Sequence, residues 1–296
     1  MLSQMDDVEI IGITDRNISK VSQVAKEYGL NYSKDFRDFL DKATTFFVVT
    51  PTNTHFEIAL ELIKNKKNIF IEKPLTENLE QAIYLLDEAI KGGNIFQVGL
   101  IERFNPVINT LKENLKNPHH ISTQRVSPFL GRAIDTHVTF DLMIHDLDLI
   151  FYILGRTSSH KVQDLKVFKK SLITNKIDLA TAWLFLSVNE RSVIANLLAS
   201  RVGPDFQRNI SIVDEDSILY ADLIKKTIIK IDKMGKAIEI PVKNIDLHPL
   251  YEEIRDFLDS IKRRRLSKQA PSPTEIIEVI KLINQINRGN IDETIH

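Results

Sequence analysis

The chain of 296 residues contains no cysteine, which removes disulfides, thiolate nucleophiles and cysteine–zinc centres together and fits a reducing cytoplasm. An excess of one charge is also missing. The 39 basic residues face 40 acidic ones, so no overall field selects nucleic acid. Aromatic residues, 7% of the chain, are too scattered for a base-stacking surface. No run reaches the roughly 20 apolar residues of a membrane span. The opening Met1-Leu2-Ser3-Gln4-Met5-Asp6-Asp7 has neither the basic nor the apolar part of a signal sequence. A soluble protein acting on a small molecule is the class that remains. Single cores stop growing at roughly 250 to 300 residues, so two domains are expected.

As far as Gly99, apolar strands alternate with amphipathic helices. Strands are predicted at Val8 to Thr14, Phe46 to Thr50, Ile69 to Glu72 and Ile95 to Val98. Helices are predicted from Ile18 to Tyr28, closed by Gly29, around Ala59, Leu60 and Ile63, and from Leu79 to Ala89. Strands spaced by helices imply a parallel, doubly wound sheet of the Rossmann type. Beyond Gly99 the texture is richer in strands: His120 to Val126, Lys161 to Phe168, Ile177 to Val188, Ser192 to Ala199, Arg208 to Val213 and Thr227 to Ile231. Short polar turns such as Asn189-Glu190 predict antiparallel pairing. The expected second half is an open α+β sheet covered on one face by helices at Phe140 to Leu154 and Leu250 to Arg264. A last helix from about Thr274 to Asn287 follows the break at Pro271 and Pro273. The division is therefore 1–100 for a dinucleotide and 101–296 for substrate and oligomerisation. The run Lys262-Arg263-Arg264-Arg265 reads as a solvated helix end whose cations complement the dipole.

A second absence concerns glycine. A dinucleotide fold carries Gly-x-Gly-x-x-Gly between its first strand and helix, with an acid about 20 residues on for a ribose hydroxyl. No such triplet occurs, yet Asp15 stands between a strand and a helix, where the second strand of such a fold carries that acid. Counting back from Asp15 puts the glycines before Met1. The expectation is a start codon assigned too late, rather than a shortened chain or a natural protein without the turn, because losing a central strand exposes two neighbouring edges. Locally, Asp15 reads equally as a plain helix N-cap.

Chemistry concentrates at Ile69-Phe70-Ile71-Glu72-Lys73-Pro74-Leu75. Pro74 cannot donate to a sheet ladder, so the strand ends there and presents Glu72 and Lys73 at the carboxyl end, where open α/β sheets bind ligands. Oxidising an alcohol needs a base with a pKa near the working pH, which a partly buried lysine can reach. Thr50-Pro51-Thr52-Asn53-Thr54-His55 opens a helix whose amides suit an anion or ribose. Asp141 and His145, four apart, share a helix face. They read as a catalytic pair, as two metal ligands without a third, or as a core histidine with a capping acid. Asp146 and Asp148 read as solvent-facing or structural.

Glu72-Lys73-Pro74 behind this βαβ pattern resembles the signature of the Gfo/Idh/MocA family, nicotinamide-dependent sugar and inositol dehydrogenases. Thr50-Pro51 with His55, Asp141 with His145, and Gln97 to Pro106 resemble further segments of that family, in the same order over nearly the whole chain. The resemblance implies that Lys73 is the acid/base, with His145 on the substrate hydroxyl and Asp141 orienting it. It implies NAD against Asp15, Arg16, Thr50, Pro51, Thr52, His55, Glu72, Lys73, Gln97 and Arg103, with NADP left open by Arg16, and it implies no metal. Arg103 reads equally as an interdomain ion pair. Glu102 to Pro106, Arg125-Val126-Ser127-Pro128 with Arg132, Ser200-Arg201 and His248-Pro249-Leu250 resemble the family's nucleotide-sugar 3-dehydrogenase branch. That implies oxidation of the 3-hydroxyl of a sugar of the UDP-N-acetylglucosamine type, with Arg103, Arg125, Arg132 and Arg201 as substrate contacts and Arg208 as a further cation for the diphosphate. A downstream aminotransferase and a homodimer or tetramer go with it; no nucleic acid and no membrane do. A free sugar or inositol dehydrogenase, and a non-catalytic dinucleotide and sugar sensor, are the competing readings.

Overall fold

A computed structural model describes residues 1–155 and 160–289. The N-terminal half is built from β1 (Gly12–Thr14), α1 (Ile18–Tyr28), β2 (Asn31–Ser33), β3 (Thr45–Val48), α2 (His55–Lys64), β4 (Asn68–Glu72), α3 (Leu79–Gly92) and β5 (Phe96–Gly99). Gly29 closes α1 as expected, at φ 67° in the left-handed region, while at the other end the Asn17 side chain accepts from the Lys20 amide. All pairings here are parallel, but they fall into two sheets, β1-β2 and β3-β4-β5. The strand expected from Val8 is confined to Gly12–Thr14, because its one partner, β2, reaches only from Asn31 to Ser33.

The second half begins with α4 (Pro106–Glu113) and β6 (His120–Val126), followed by a π-helical turn, Thr139–Met143, that leads into α5 (Ile144–Leu154). Then come β7 (His160–Lys170), β8 (Leu179–Val188), β9 (Arg191–Ser200), β10 (Gln207–Val213), β11 (Ser217–Asp222), β12 (Thr227–Asp232), β13 (Ala237–Glu239), α6 (Pro249–Arg263) and α7 (Pro273–Arg288). The eight strands form one sheet in the order β13-β12-β11-β10-β6-β9-β8-β7, antiparallel except for β6 beside β9. Asn189 and Glu190, at φ 49° and 67°, make the tight turn between β8 and β9. The described residues contain no helix long and apolar enough to cross a membrane.

One face of the large sheet is buried. Ala180, Ala182 and Leu184 of β8, Ala195 and Leu197 of β9, and Ile210 and Ile212 of β10 pack against α4, α5 and part of α7. The expectation that α6 also covers this sheet is corrected. Phe257 of α6 stacks on Phe47 and Phe70 of the first half, ring centroids 5.5 and 5.6 Å apart, so α6 covers the parallel sheet. Its basic end is tied down as well, since Arg255 and Lys262 both pair with Asp7 at 2.7 Å. Helix α7 serves both halves: Ile276 and Ile280 enter the core of the parallel sheet, while Val279, Leu282, Ile283 and Ile286 enter that of the large one.

The other face of the large sheet is open. Trp183, Asn196, Ser122, Ser211, Tyr220 and Ile229 lie in register in one row across it, and Trp183, Tyr220 and Ile229 are exposed.

Arg103 braces the second half from inside, against the helix α7 that both cores share. Its guanidinium is fully buried, donates to Asp148 from Nε at 2.8 Å and Nη2 at 2.6 Å, and lies 3.4 Å from Glu275 at the start of α7. Removing one member of a buried pair strands the other charge, at a cost of about 3–5 kcal/mol. Arg103→Ala should lower the midpoint of urea unfolding accordingly; a midpoint unchanged from wild type would contradict the role.

Candidate active site

The strand β4 ends on Glu72 because Pro74 follows, and the Lys73–Pro74 peptide is cis. The side chain of Lys73 crosses to the second half, where Nζ donates to the Asp141 carbonyl at 2.6 Å and to Asp141 Oδ1 at 3.2 Å. Both side chains are largely screened from solvent. Asp141 can receive it because it sits in the π turn, where the Ile144 amide reaches back to the Thr139 carbonyl and the helix widens locally. His145 lies one turn on, with Nδ1 buried and without a hydrogen-bond partner among the described residues.

Burial pulls the Lys73 amine below the ordinary lysine range; the carboxylates of Asp141 and Glu72 pull the other way, and the Arg125 charge adds to the lowering. Burial likewise pushes His145 well below the usual imidazole range, with Lys73, Arg125 and Arg208 reinforcing it. The imidazole is therefore neutral at physiological pH, a hydrogen-bonding group rather than a cation. An amine that can lose its proton, a carboxylate against it and a neutral imidazole form an acid–base constellation suited to removing a hydroxyl proton.

Cations lie beneath the histidine. Arg125 is buried, donates to Asp146 Oδ1 from Nε at 3.0 Å and Nη2 at 2.8 Å, and donates to Glu102 Oε1 from Nη1 at 2.8 Å. Although burial opposes it, the Arg125 charge keeps Glu102 below the usual carboxylate range. Arg208 lies opposite Arg125 in register, 3.8 Å from Glu102, with nearly half its side chain exposed. Arg201 is buried and donates to the carbonyls of Ala133 and Thr136 at 2.7 and 2.9 Å. It thereby secures the loop that carries the exposed Arg132.

Several expected contacts are accordingly corrected. Arg103, Arg125 and Arg201 are spent on internal partners, because a buried guanidinium must be paired, and so they shape the site rather than reach into it. His55 is fully buried with Nε2 2.8 Å from the Thr50 carbonyl and Nδ1 3.0 Å from the Pro74 carbonyl. It ties the turn after β3 to the turn after β4, with no ring nitrogen left for a cofactor. Gln97 is fully buried opposite Phe70 in the parallel sheet, its amide unpartnered among the described residues. Asp146 and Asp148 are interior counter-ions, not solvent-facing groups.

Other residues stand open at the carboxyl ends of the strands. Asp15 is half-buried and accepts from the Asn17 amide at 2.8 Å, and Asn17, not Asp15, caps α1. Its carboxylate stands beside the exposed Arg16, within 3.9 Å of Lys20. Thr50 and Pro51 are exposed and Thr52 half-buried, with the Thr54 hydroxyl donating to the Thr50 hydroxyl at 2.8 Å. The sequence reading named Glu102 within a motif but gave it no role, and it missed the fully buried Glu253 of α6. Only the spacing of Glu253 from Phe257, one turn apart on the buried helix face, could have signalled the latter. No group of three metal-ligating side chains occurs among the described residues. A cavity of about 330 Å³ between α4 and α6, lined by Asn109, Glu252 and Asp256 among others, lies apart from these residues.

The pattern of an oxidoreductase family with an NAD-binding Rossmann fold, GFO_IDH_MocA, matches residues 1–100. Over 265 residues the chain is 31% identical to UDP-N-acetylglucosamine 3-dehydrogenase of Acidithiobacillus ferrooxidans, covering 87% of this chain and 82% of that one. The chain belongs to the Gfo/Idh/MocA family. A crystal structure of the same Acidithiobacillus ferrooxidans enzyme superposes with a TM-score of 0.84 at 28% identity, over 94% of this chain and 88% of that one. Myo-inositol 2-dehydrogenase of Thermotoga maritima is 25% identical over 247 residues, 79% of this chain and 74% of that one. This Gfo/Idh/MocA protein is thus an NAD(P)-dependent oxidoreductase acting on CH–OH groups, and NAD is its cofactor. The open polar groups fit that dinucleotide at its two ends: Asp15 suits a ribose, and the Thr50 turn with Glu72 and Lys73 suits the nicotinamide side.

The Asp141 carboxylate favours the charged form of Lys73, so Asp141→Asn should lower the amine's pKa further and raise the fraction of free amine at pH 8. Cyanate labelling of Lys73, followed by peptide mass spectrometry, should then be faster in Asp141→Asn than in wild type; slower labelling would contradict the electrostatic assignment.

Proposed function

We propose that the protein oxidises the 3-hydroxyl of a nucleotide sugar of the UDP-N-acetylglucosamine type to the 3-keto sugar, with residues 1–100 holding the dinucleotide and 101–296 the sugar. The observation that carries this is the Lys73 amine, depressed by burial and held between Glu72 and Asp141 beside a neutral His145. NAD, when bound, accepts the hydride. Lys73 in its neutral form takes the hydroxyl proton, and Asp141, which touches both solvent and the amine, passes it outward. His145 donates a hydrogen bond to the same hydroxyl from Nε2 and fixes which carbon faces the nicotinamide. Asp15 accepts hydroxyl hydrogen bonds from the adenosine ribose, and Thr50, Pro51 and Thr52 line the approach.

The diphosphate falls to Arg208 and Arg132, the two arginines of the site that remain exposed. The similarity to a UDP-N-acetylglucosamine 3-dehydrogenase over most of the chain supports the nucleotide sugar ahead of a free inositol. A 3-keto product is a substrate for an aminotransferase, which would place the reaction in amino-sugar synthesis.

Incubation with NAD and UDP-N-acetylglucosamine should raise the absorbance of reduced nicotinamide, and UDP should inhibit competitively. Lys73→Ala should lower turnover at least about 100-fold, the usual scale of a lost acid–base group, while NADH binding persists. In wild type the rate should rise with pH through the amine's depressed pKa and then level. Turnover of myo-inositol without inhibition by UDP would replace the substrate assignment, and an unchanged rate in Lys73→Ala would discard the assigned base.

We further propose that two copies pack through the open face of the large sheet, where Trp183, Tyr220 and Ile229 lie exposed in one row. Trp183→Glu should shift sedimentation toward the monomer; sedimentation identical to wild type would refute that interface.

A further inference from the structure

Glu253 belongs to none of the groups assigned above. It sits on α6, which crosses the parallel sheet on the face of Phe47 and Phe70, and its side chain is 1% exposed. The Leu100 amide donates to its carboxyl group, whereas Oε1 has no protein partner among the described residues. Across from it the chain has made room. Gly99 pairs with Glu72 in register, and a Cβ at position 99 would lie 3.1 Å from the Phe70 ring and 3.4 Å from Glu72 Oε2. The Glu72 carboxylate therefore lies over the bare backbone of β5, where α6 passes, and Oε2 also accepts from the Lys73 amide at 3.3 Å.

Beyond burial, Glu72 on β4, Asp148 on α5 and Asp256 on its own helix act to keep Glu253 uncharged, while the Leu100 amide acts against them. An acid so placed holds its proton well above the usual carboxylate range. A neutral carboxylic acid has one hydroxyl to donate and one carbonyl to accept. The Leu100 amide supplies the donor for the carbonyl, which leaves the hydroxyl for the neighbouring carboxylate. Hydrogen bonds from neutral donors to a buried anion are among the stronger ones.

We propose that Glu253 is a positioning residue for the dehydrogenase reaction: as a neutral acid it donates to the Glu72 carboxylate and holds that group, and with it the Lys73 strand end, in the geometry that receives the nicotinamide. The proposal rests on the reading of this strand end as the nicotinamide side of the site. It does not depend on which sugar is oxidised.

Two substitutions of similar volume separate donation from packing. Glu253→Gln and Glu253→Met both remove the titrating group, but only glutamine keeps a donor for Glu72 and an acceptor for Leu100. A neutral Glu253 obliges the chain to take up a proton on folding at any pH between the unfolded and folded pKa values. Wild-type stability therefore falls across that window, and the Tm advantage of both variants over wild type should grow from about pH 5 to about pH 8. NADH affinity, followed by fluorescence of the bound nicotinamide, should stay within about threefold of wild type in Glu253→Gln and fall about tenfold in Glu253→Met, the scale of one hydrogen bond to a charged group. A Tm difference that does not change with pH would show that the carboxyl is ionised and overturn the proposal. Equal NADH affinity in the two variants would overturn it as well, since donation would then be irrelevant. A wild-type protein that binds NADH but oxidises no nucleotide sugar would sink the substrate assignment alone, leaving Glu253 to be decided by its own two variants.

Discussion

The contact on which the rest of the site depends is the reach of Lys73 from the end of β4 into the π turn at Asp141, 2.6 Å to its carbonyl. It joins the half that belongs to the dinucleotide with the half that carries His145. It also sets the amine's chemistry, because burial depresses its pKa while Asp141 and Glu72 limit how far. Were the turn a regular α-helix, the widening that brings Asp141 within reach would be lost. The local irregularity and the acid–base role proposed for Lys73 are one feature seen at two scales.

Around that contact the molecule keeps its charges inside and paired. Arg103 with Asp148 and Glu275, Arg125 with Asp146 and Glu102, and Arg201 with two loop carbonyls each place a guanidinium where water is absent. Such pairs add little net stability over apolar packing, but breaking one is costly, so they define geometry. His55 ties neighbouring turns together in the same way, by facing the Thr50 and Pro74 carbonyls at once.

Much of this could be read from the sequence because it is local. Gly29 closes α1, Pro74 stops β4, and Asn189-Glu190 turns β8 into β9; each acts through the residues beside it. The parallel-then-antiparallel division followed from periodicity in the same way. Where the reading failed, the deciding partner was distant in sequence. Arg103 read equally as a cofactor or substrate contact and as an ion pair until Asp148 and Glu275 came beside it, and Gln97 read as cofactor-facing although the fold buries it fully. Strand β11 went unrecognised although Ser217, Leu219 and Ala221 alternate inward, because it is a short run between Asp216 and Asp222. Glu253 was the hardest to see, since its spacing from Phe257 places it on the buried face of α6 but does not say what it will face there.

Helix α7 carries a consequence for motion. Its neighbouring turns are shared between two cores, Ile276 and Ile280 on one side and Val279, Leu282 and Ile283 on the other. Swinging the halves apart would strip apolar area from whichever core the helix left behind, a penalty that grows with the opening angle. Hinge-like breathing of the whole molecule is thereby suppressed. Any opening between the halves has to carry α7 away with one core and uncover the other.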